Sequence, residues 1–408
     1  MVKESPKRAV DKEHKNPDKI VNENKEDGGI YEKSPDEDVN MNKEDGGKSE
    51  KSPDGTTNMN KEDDGICQKS RNETANMNKE DGERSEYTNL LAASTYTLQE
   101  GDRPSRSGSI SLFDVDGGGE DVRLNLIQHV ETAGVFDIRW SRGGAGSFGS
   151  GVALAQADAD GCLRVYGIEQ AEERGPHLRE ISGEKISSSM CLCLDWDSSS
   201  TSIAIGLSDG SVSVVSFTDS KLETLQEWKA HDFELWATSF DLHNAHLVYT
   251  GSDDCKFSCW DIRESPQNHV FKNSKSHSMG VCCIAPNPNN PYSVFTGSYD
   301  ENLRVWDMRS VSRPVNDVSV GLGGGVWRIK HHPLVDGIVL VACMHNGFAV
   351  VNVGNGKAEV METYNKHGSL AYGADWQRGK DRKLGVVATC SFYDRLLRLW
   401  KPETDICG

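Results

Sequence analysis

The stretches TGSDDCKFSCWDIR (Thr250 to Arg263) and TGSYDENLRVWDMR (Thr296 to Arg309) are two copies of one pattern. A short run ends in Thr-Gly-Ser, an acidic turn follows, and a second run closes on Trp-Asp-x-Arg. With Trp260 and Trp306 as anchors, the same slot falls at Phe113, Tyr166, Val215, Asn352 and Trp400. Successive spacings are 53, 49, 45, 46, 46 and 48 residues. They lie near the ~40–45 of a four-stranded repeat, with the surplus where Gly-rich insertions such as Gly143 to Gly151 sit. Six residues before each anchor stands a turn residue: Asp160, Asp209, Asp254, Asp300 and Asp394, with Asn346 and Ser107 in the remaining two units. An acidic or amide side chain there bonds its own turn backbone, which suits a tight hairpin between two strands.

His231 and His277 each precede their Trp by 29 residues. The pattern resembles the WD-repeat family, in which such a His, Asp, Ser/Thr and Trp form a buried hydrogen-bonded set. The resemblance covers about residues 89–403 and implies an all-β, seven-bladed propeller. His129 and His367 are expected at the same position before a strand, as structural residues satisfied inside their blades. Gly206-Leu-Ser-Asp-Gly210 matches the G-x-S-x-G nucleophile elbow, but it falls between two strands with no helix after it, so a hairpin turn is expected.

Outside the repeats the chain changes character. Residues 1–88 hold no Trp or Phe, and 16 basic against 23 acidic residues leave −7 of the total −18. Such a segment cannot bury enough apolar surface to fold alone. Lys-Glu-Asp recurs there at Lys25, Lys43, Lys61 and Lys79, an 18-residue duplication interrupted by Asp-Gly and Ser-Pro steps. A disordered acidic arm over 1–88 and a propeller over 89–408 are therefore expected. Net acidity argues against a nucleic-acid binder led by a basic surface. The opening MVKESPKRAV lacks a secretory apolar stretch, and the aliphatic run Ile338 to Met344 is far short of a membrane span, so a cytoplasmic location is expected. The eleven cysteines include no C-x-x-C, which favours reduced, buried thiols over a metal site.

Function shows where units depart from the generic repeat, in units 6 and 7. GGGVWRIKHHP (Gly323 to Pro333), MHNGF (Met344 to Phe348), SLAYGADW (Ser369 to Trp376) and ATCSFYDRLLRLW (Ala388 to Trp400), with LAASTYTL near Leu91 and GSISLFDV near Gly108, resemble the diphthine methyl ester hydrolase family, also called diphthine methyltransferase. That resemblance implies a hydrolase without a cofactor or metal, acting on elongation factor 2 to remove a methyl ester from a modified histidine in diphthamide biosynthesis. The implied substrate carries a trimethylammonium beside the ester. Aromatic faces around the cation and a polarising group at the carbonyl are expected.

The residue before each turn Asp is expected to face the mouth of the propeller: Arg106, Ala159, Ser208, Asp253, Tyr299, His345 and Tyr393. The candidate cage is Tyr299, Tyr393 and Trp327. His345 is the candidate general base, and Arg328 or glycine N–H groups are candidates for steadying the oxyanion. Gly324 and Gly325 would let a substrate approach the backbone. His331 and His332, ahead of Pro333, are expected at the opposite rim with structural roles. A different class of function attaches to Trp-Asp-Ile-Arg263 and Trp-Asp-Met-Arg309, which resemble the box by which WD-repeat receptors dock on a cullin-ligase adaptor through arginines such as Arg263 and Arg309.

The two ends carry a further expectation. Only KPETDICG follows Trp400, and RNETANMNKEDGERSEYT precedes the first repeat without an alternating apolar run. Blades 2 to 6 are expected intact, and the seam between blades 7 and 1 incomplete.

Overall fold

The computed structural model describes residues 89–99, 105–116, 122–142, 151–171, 175–264, 268–378 and 385–404. The expected acidic arm, with its repeats, lies outside the described residues. Among the described residues twenty-six strands form seven antiparallel sheets. Sheet 1 holds β1 (Leu90–Gln99), β2 (Ser105–Asp116) and β3 (Arg123–Ala133). Sheet 2 holds β4 (Val135–Trp140), β5 (Ala153–Asp158), β6 (Cys162–Ala171) and β7 (Gly175–Lys185), and sheet 3 holds β8 (Cys191–Trp196), β9 (Ser202–Leu207), β10 (Ser211–Thr218) and β11 (Lys221–Lys229). Sheet 4 comprises β12 (Leu235–Phe240), β13 (Leu247–Ser252), β14 (Phe257–Asp261) and β15 (His269–Asn273). Sheet 5 comprises β16 (Val281–Pro286), β17 (Ser293–Ser298), β18 (Asn302–Asp307) and β19 (Val315–Gly321). Sheet 6 is β20 (Arg328–His331), β21 (Ile338–Ala342), β22 (Phe348–Gly354) and β23 (Lys357–Tyr364), and sheet 7 is β24 (Ala371–Trp376), β25 (Val387–Ser391) and β26 (Leu397–Trp400).

First strands of successive sheets pack on one another from β4 through β24, which makes them the inner wall of a seven-bladed propeller. Second strands such as β13 and β21 are wholly buried because both of their faces meet a neighbouring sheet. They accordingly read as continuous apolar or small-residue runs. Outer strands such as β11 and β23 alternate towards solvent. Apolar clusters therefore fill the spaces between sheets, as between sheets 2 and 3 around Leu163, Trp196 and Phe217.

The repeat slot is marked by a β-bulge. The register shifts immediately before Phe113, Tyr166, Val215, Trp260 and Trp306 where the third strand meets the fourth. In sheet 6 the shift falls before Val351, which is buried, while Asn352 is exposed. The anchor expected at Asn352 is thus Val351, one residue earlier, which moves the turn slot six residues before it from Asn346 to His345. The hydrogen-bonded set is complete in sheet 4, where His231 joins Asp254 at 2.9 Å and Thr250 at 2.8 Å, and Trp260 donates to Thr250. His277, Thr296 and Trp306 repeat it in sheet 5, as do His367, Thr389 and Trp400 in sheet 7. His129 does not belong to it: it sits on outer strand β3, bonded to Ser111 and Glu131. Gly206 to Gly210 forms the expected hairpin turn between β9 and β10, with Gly210 at φ 86.

Among the described residues sheet 1 lacks its innermost strand and sheet 7 its outermost one, so the inner edge of β1 is unpaired. Sheets 7 and 1 meet through a Gln377–Asn89 hydrogen bond of 3.2 Å and the rings of Tyr96 and Phe392.

Candidate functional site

Two rows of side chains converge at one rim of the central channel. The first comes from β-bulges at the second residue of the inner strands, an irregularity that re-aims the extra side chain. Register shifts across Val135/Asp137, Cys191/Cys193, Leu235/Ala237, Val281/Cys283 and Ala371/Gly373 single out Phe136, Leu192, Trp236, Cys282 and Tyr372. Trp327 stands at the head of β20, its N–H bonded to the Ala342 carbonyl. Phe136, Trp236, Trp327 and Tyr372 line a cavity of about 3160 Å³ that runs from the channel into the open seam.

The second row comes from the turns between second and third strands. Ala159, Ser208, Asp253, Tyr299 and Phe392 each donate their N–H to the carbonyl just ahead of their own sheet's inner strand: Gly134, Met190, Glu234, Gly280 and Leu370. This pairing corrects three expectations. In sheet 7, three residues rather than two separate Cys390, the last paired residue of β25, from the turn residue Asp394. Phe392 therefore takes the mouth position, and Tyr393 is the inserted residue, 76% exposed, with its ring edge-on to Phe392 at 5.0 Å. In sheet 6 nothing is inserted: Ala342 and Phe348 bracket five residues, as Gly297 and Leu303 do in sheet 5, so with the anchor at Val351 the turn slot falls at His345 and the mouth position at Met344. Met344 is buried, while His345 is exposed on the turn, outside the cavity lining and without a hydrogen bond among the described residues. In sheet 1 the hairpin runs on past Arg106 and Ser107, which lie within β2, and Tyr96 faces the cavity instead.

Together the rows build a continuous aromatic series. Ring centroids are 5.5 Å apart for Trp236–Trp327, 4.7 Å for the stacked pair Trp327–Tyr372 and 5.2 Å for Tyr372–Phe392. The series continues at 6.2 Å to Tyr96 and 4.9 Å to Phe136, and Tyr299 joins Trp327 at 5.9 Å. Burial raises the Tyr299 and Tyr372 phenols, so both rings are neutral. Two of the expected cage residues, Tyr299 and Trp327, are brought together. Trp236, Tyr372, Phe392, Tyr96 and Phe136 were not anticipated; for Phe136, Trp236 and Tyr372 the signal was an aromatic at the second position of an inner strand.

Gly324 and Gly325 are buried, and the space beside them is taken. A Cβ on Gly324 would meet the Cys343 carbonyl at 2.1 Å, and one on Gly325 would meet Met344 Sδ at 2.7 Å. These glycines let sheets 5 and 6 pack closely; they leave no opening for a ligand.

Beneath the rings lies a charged layer. Arg328 NH2 donates to Asp137 Oδ1 at 3.1 Å, and its guanidinium lies 5.9 Å from the Trp327 ring centre. Asp137 also accepts from Arg139 Nε at 3.4 Å and the Leu194 N–H at 3.3 Å. Arg139 and Arg142 both reach Asp195, at 3.1 and 2.9 Å. Burial works against the Arg139 charge, but Asp137 and Asp195 outweigh it and hold the proton more firmly than usual. Burial pushes Cys193 and Cys283 up to about 12 and raises Cys282 and Cys390. The thiols around the channel are therefore protonated and poor nucleophiles.

The remaining expected residues are accounted for elsewhere. His331 and His332 close β20 at the far end of the inner strand. His331 bonds the Ala285 carbonyl, and His332 accepts the N–H groups of Leu334 and Val335. Arg263 and Arg309 are exposed, 60% and 77% by side chain, and each is paired with the Asp two residues before it. No helix of the described residues is long and apolar enough to cross a membrane.

Comparison with known proteins places this geometry. The WD domain, G-beta repeat model matches residues 222–261 and 268–307. Each match takes the outer strand of one sheet with three strands of the next, so the repeat is one strand out of phase with the blade. A chain of the crystal structure of the mitotic checkpoint complex shares the fold, with a TM-score of 0.56 and 15% identity over 75% of this chain and 90% of that one. The diphthine methyltransferase homolog of Dictyostelium discoideum is 31% identical over 77% of this chain and 93% of its own length. This chain belongs to the diphthine methyltransferase family. The Homo sapiens diphthine methyltransferase is likewise 31% identical, over 76% of this chain and 74% of its own. Both the aromatic series and Arg328 therefore sit on the scaffold of a diphthine methyltransferase relative.

Proposed function

We propose that the protein hydrolyses the methyl ester of methylated diphthine on elongation factor 2, giving diphthine and methanol, in diphthamide biosynthesis. The observation that carries the reading is the run of aromatic rings in which Trp327 stands next to the channel-facing Arg328. In the proposed substrate a trimethylammonium sits beside the ester, so a site for it needs π faces and a carbonyl-polarising group next to one another. Trp327, Trp236, Tyr299, Tyr372 and Phe392 supply the faces. Arg328, held by one N–H to Asp137, keeps other N–H groups to bind the carbonyl oxygen as it gains charge.

An ester next to a quaternary nitrogen is electron-poor, so hydroxide from solvent attacks it readily. The cavity gives water access. The tetrahedral oxyanion then collapses, expelling methoxide, which takes a proton from water and leaves as methanol. His345, exposed on its turn, is not needed as the base in this scheme. The test is methanol release from methyl-esterified diphthine on elongation factor 2, compared with an otherwise identical ester lacking the trimethylammonium. Turnover of the cationic ester alone supports the reading; equal turnover of both would remove the role of the aromatic series.

A second reading rests on the exposure of Arg263 and Arg309: docking on a cullin-ligase adaptor. It is compatible with hydrolysis. Recovery of such an adaptor by the wild type and its loss with Arg309→Ala would support it.

A further inference from the structure

Among the turn residues Ala159, Ser208, Asp253, Tyr299, Met344 and Phe392, Asp253 is the one carboxylate; it is exposed on the rim, just outside the cavity that its neighbour Tyr299 lines. It lies over Gly280, where a Cβ would meet its Oδ1 at 2.4 Å, and Tyr299 Cδ2 stands 3.1 Å from the same point. Asp253 and Tyr299 thus flank one glycine, and Trp236 is the other neighbour of the carboxylate. The adjacent turn carboxylates are paired with cations: Asp254 with Lys256, Asp300 with Arg304. Asp253 has no ion pair among the described residues. Burial raises its carboxyl, Glu234 and Asp254 push the same way, and only the Trp236 indole pulls against them. A cation at this place would relieve the repulsion.

We propose that Asp253 is the counter-charge of a quaternary-ammonium site on this rim, and that it makes the site prefer the cationic methyl ester to the zwitterionic acid left by hydrolysis. The inference rests on the function proposed above. A trimethylammonium has no N–H to donate, so the rings hold it by their faces and Asp253 by charge alone. Once the ester is cleaved, a carboxylate appears beside the ammonium and is repelled by Asp253, which hastens product release.

The test titrates tetramethylammonium and glycine betaine into the full chain, followed by tryptophan fluorescence and calorimetry, for wild type, Asp253→Asn and Asp253→Glu. The wild type binds tetramethylammonium more tightly than betaine. Asp253→Asn weakens tetramethylammonium about five- to tenfold, as expected for one charge at a partly solvated site, without weakening betaine, and Asp253→Glu restores the preference. Equal losses for both probes, no loss, or a wild type that does not bind tetramethylammonium would overturn the proposal. Methanol release is measured on the same preparations. Hydrolysis with no effect of Asp253→Asn on the probes sinks this inference alone, whereas cation binding without hydrolysis sinks the proposed reaction alone.

Discussion

Asp137→Ala should damage stability and turnover together. The Asp137 carboxylate receives Arg328 from sheet 6, Arg139 from its own strand and the Leu194 N–H from sheet 3, so one side chain ties three blades across the channel. Arg328 and Asp137 are 15% and 7% exposed by side chain. Breaking a buried ion pair from one side costs roughly 3–5 kcal/mol, because the other charge is left behind. Here the loss falls at about 3 kcal/mol, because Arg139 keeps Asp195 at 3.1 Å. Only Arg328 is stranded, with no other hydrogen-bond acceptor among the described residues. For a domain of this size each kcal/mol moves the midpoint by roughly 2 °C, so differential scanning calorimetry should show a fall of about 6 °C. Arg328 would also lose its orientation, lowering kcat/KM for the ester. A fall under about 2 °C with unchanged kcat/KM would refute the view that Asp137 anchors Arg328. A lower midpoint with unchanged kcat/KM would confine Arg328 to a structural role.

Trp327→Ala removes the ring shared by four neighbours and should lower kcat/KM about tenfold, in line with a cation–π contribution of ~1–2 kcal/mol; Trp327→Phe should recover part of it. Burial alone pushes the Asp300 carboxyl up, yet His277 and Arg304 outweigh it and hold it well below the usual carboxylate range. Its folded value is depressed, so its stabilisation is complete above about pH 5 and is lost as pH falls below about 4. Melting curves of Asp300→Asn should therefore show a lower midpoint at neutral pH and a shallower loss in acid than wild type. His345→Ala should keep the wild-type rate, with turnover rising steadily with pH. A large loss of rate in the folded variant would restore His345 as general base.

The fold was legible because its signals are local and periodic: turn Asp, buried His and anchor Trp recur at nearly fixed spacing, and sheets 4 and 5 follow the pattern throughout. The site was read less well. In sheet 7 a single inserted residue ahead of Asp394 leaves the turn residue in place but displaces the side chain before it, and in sheet 6 spacing set the anchor one residue late, at Asn352 instead of Val351, so the whole turn was read one residue out. Counting back from the turn therefore pointed to His345 and Tyr393, where strand pairing gives Met344 and Phe392. The bulged aromatics Phe136, Trp236 and Tyr372 were missed because a bulge leaves no mark in apolar alternation. Gly324 and Gly325 suggested an opening, but a missing side chain serves equally to admit a neighbouring carbonyl.

The most direct measurement is the intact mass of methyl-esterified elongation factor 2 before and after incubation with the purified, folded protein. Loss of the ester methyl group by the wild type, with methanol recovered and the reaction abolished by Arg328→Ala, is the result expected. An unchanged mass in the presence of folded wild-type protein would contradict the proposed hydrolysis.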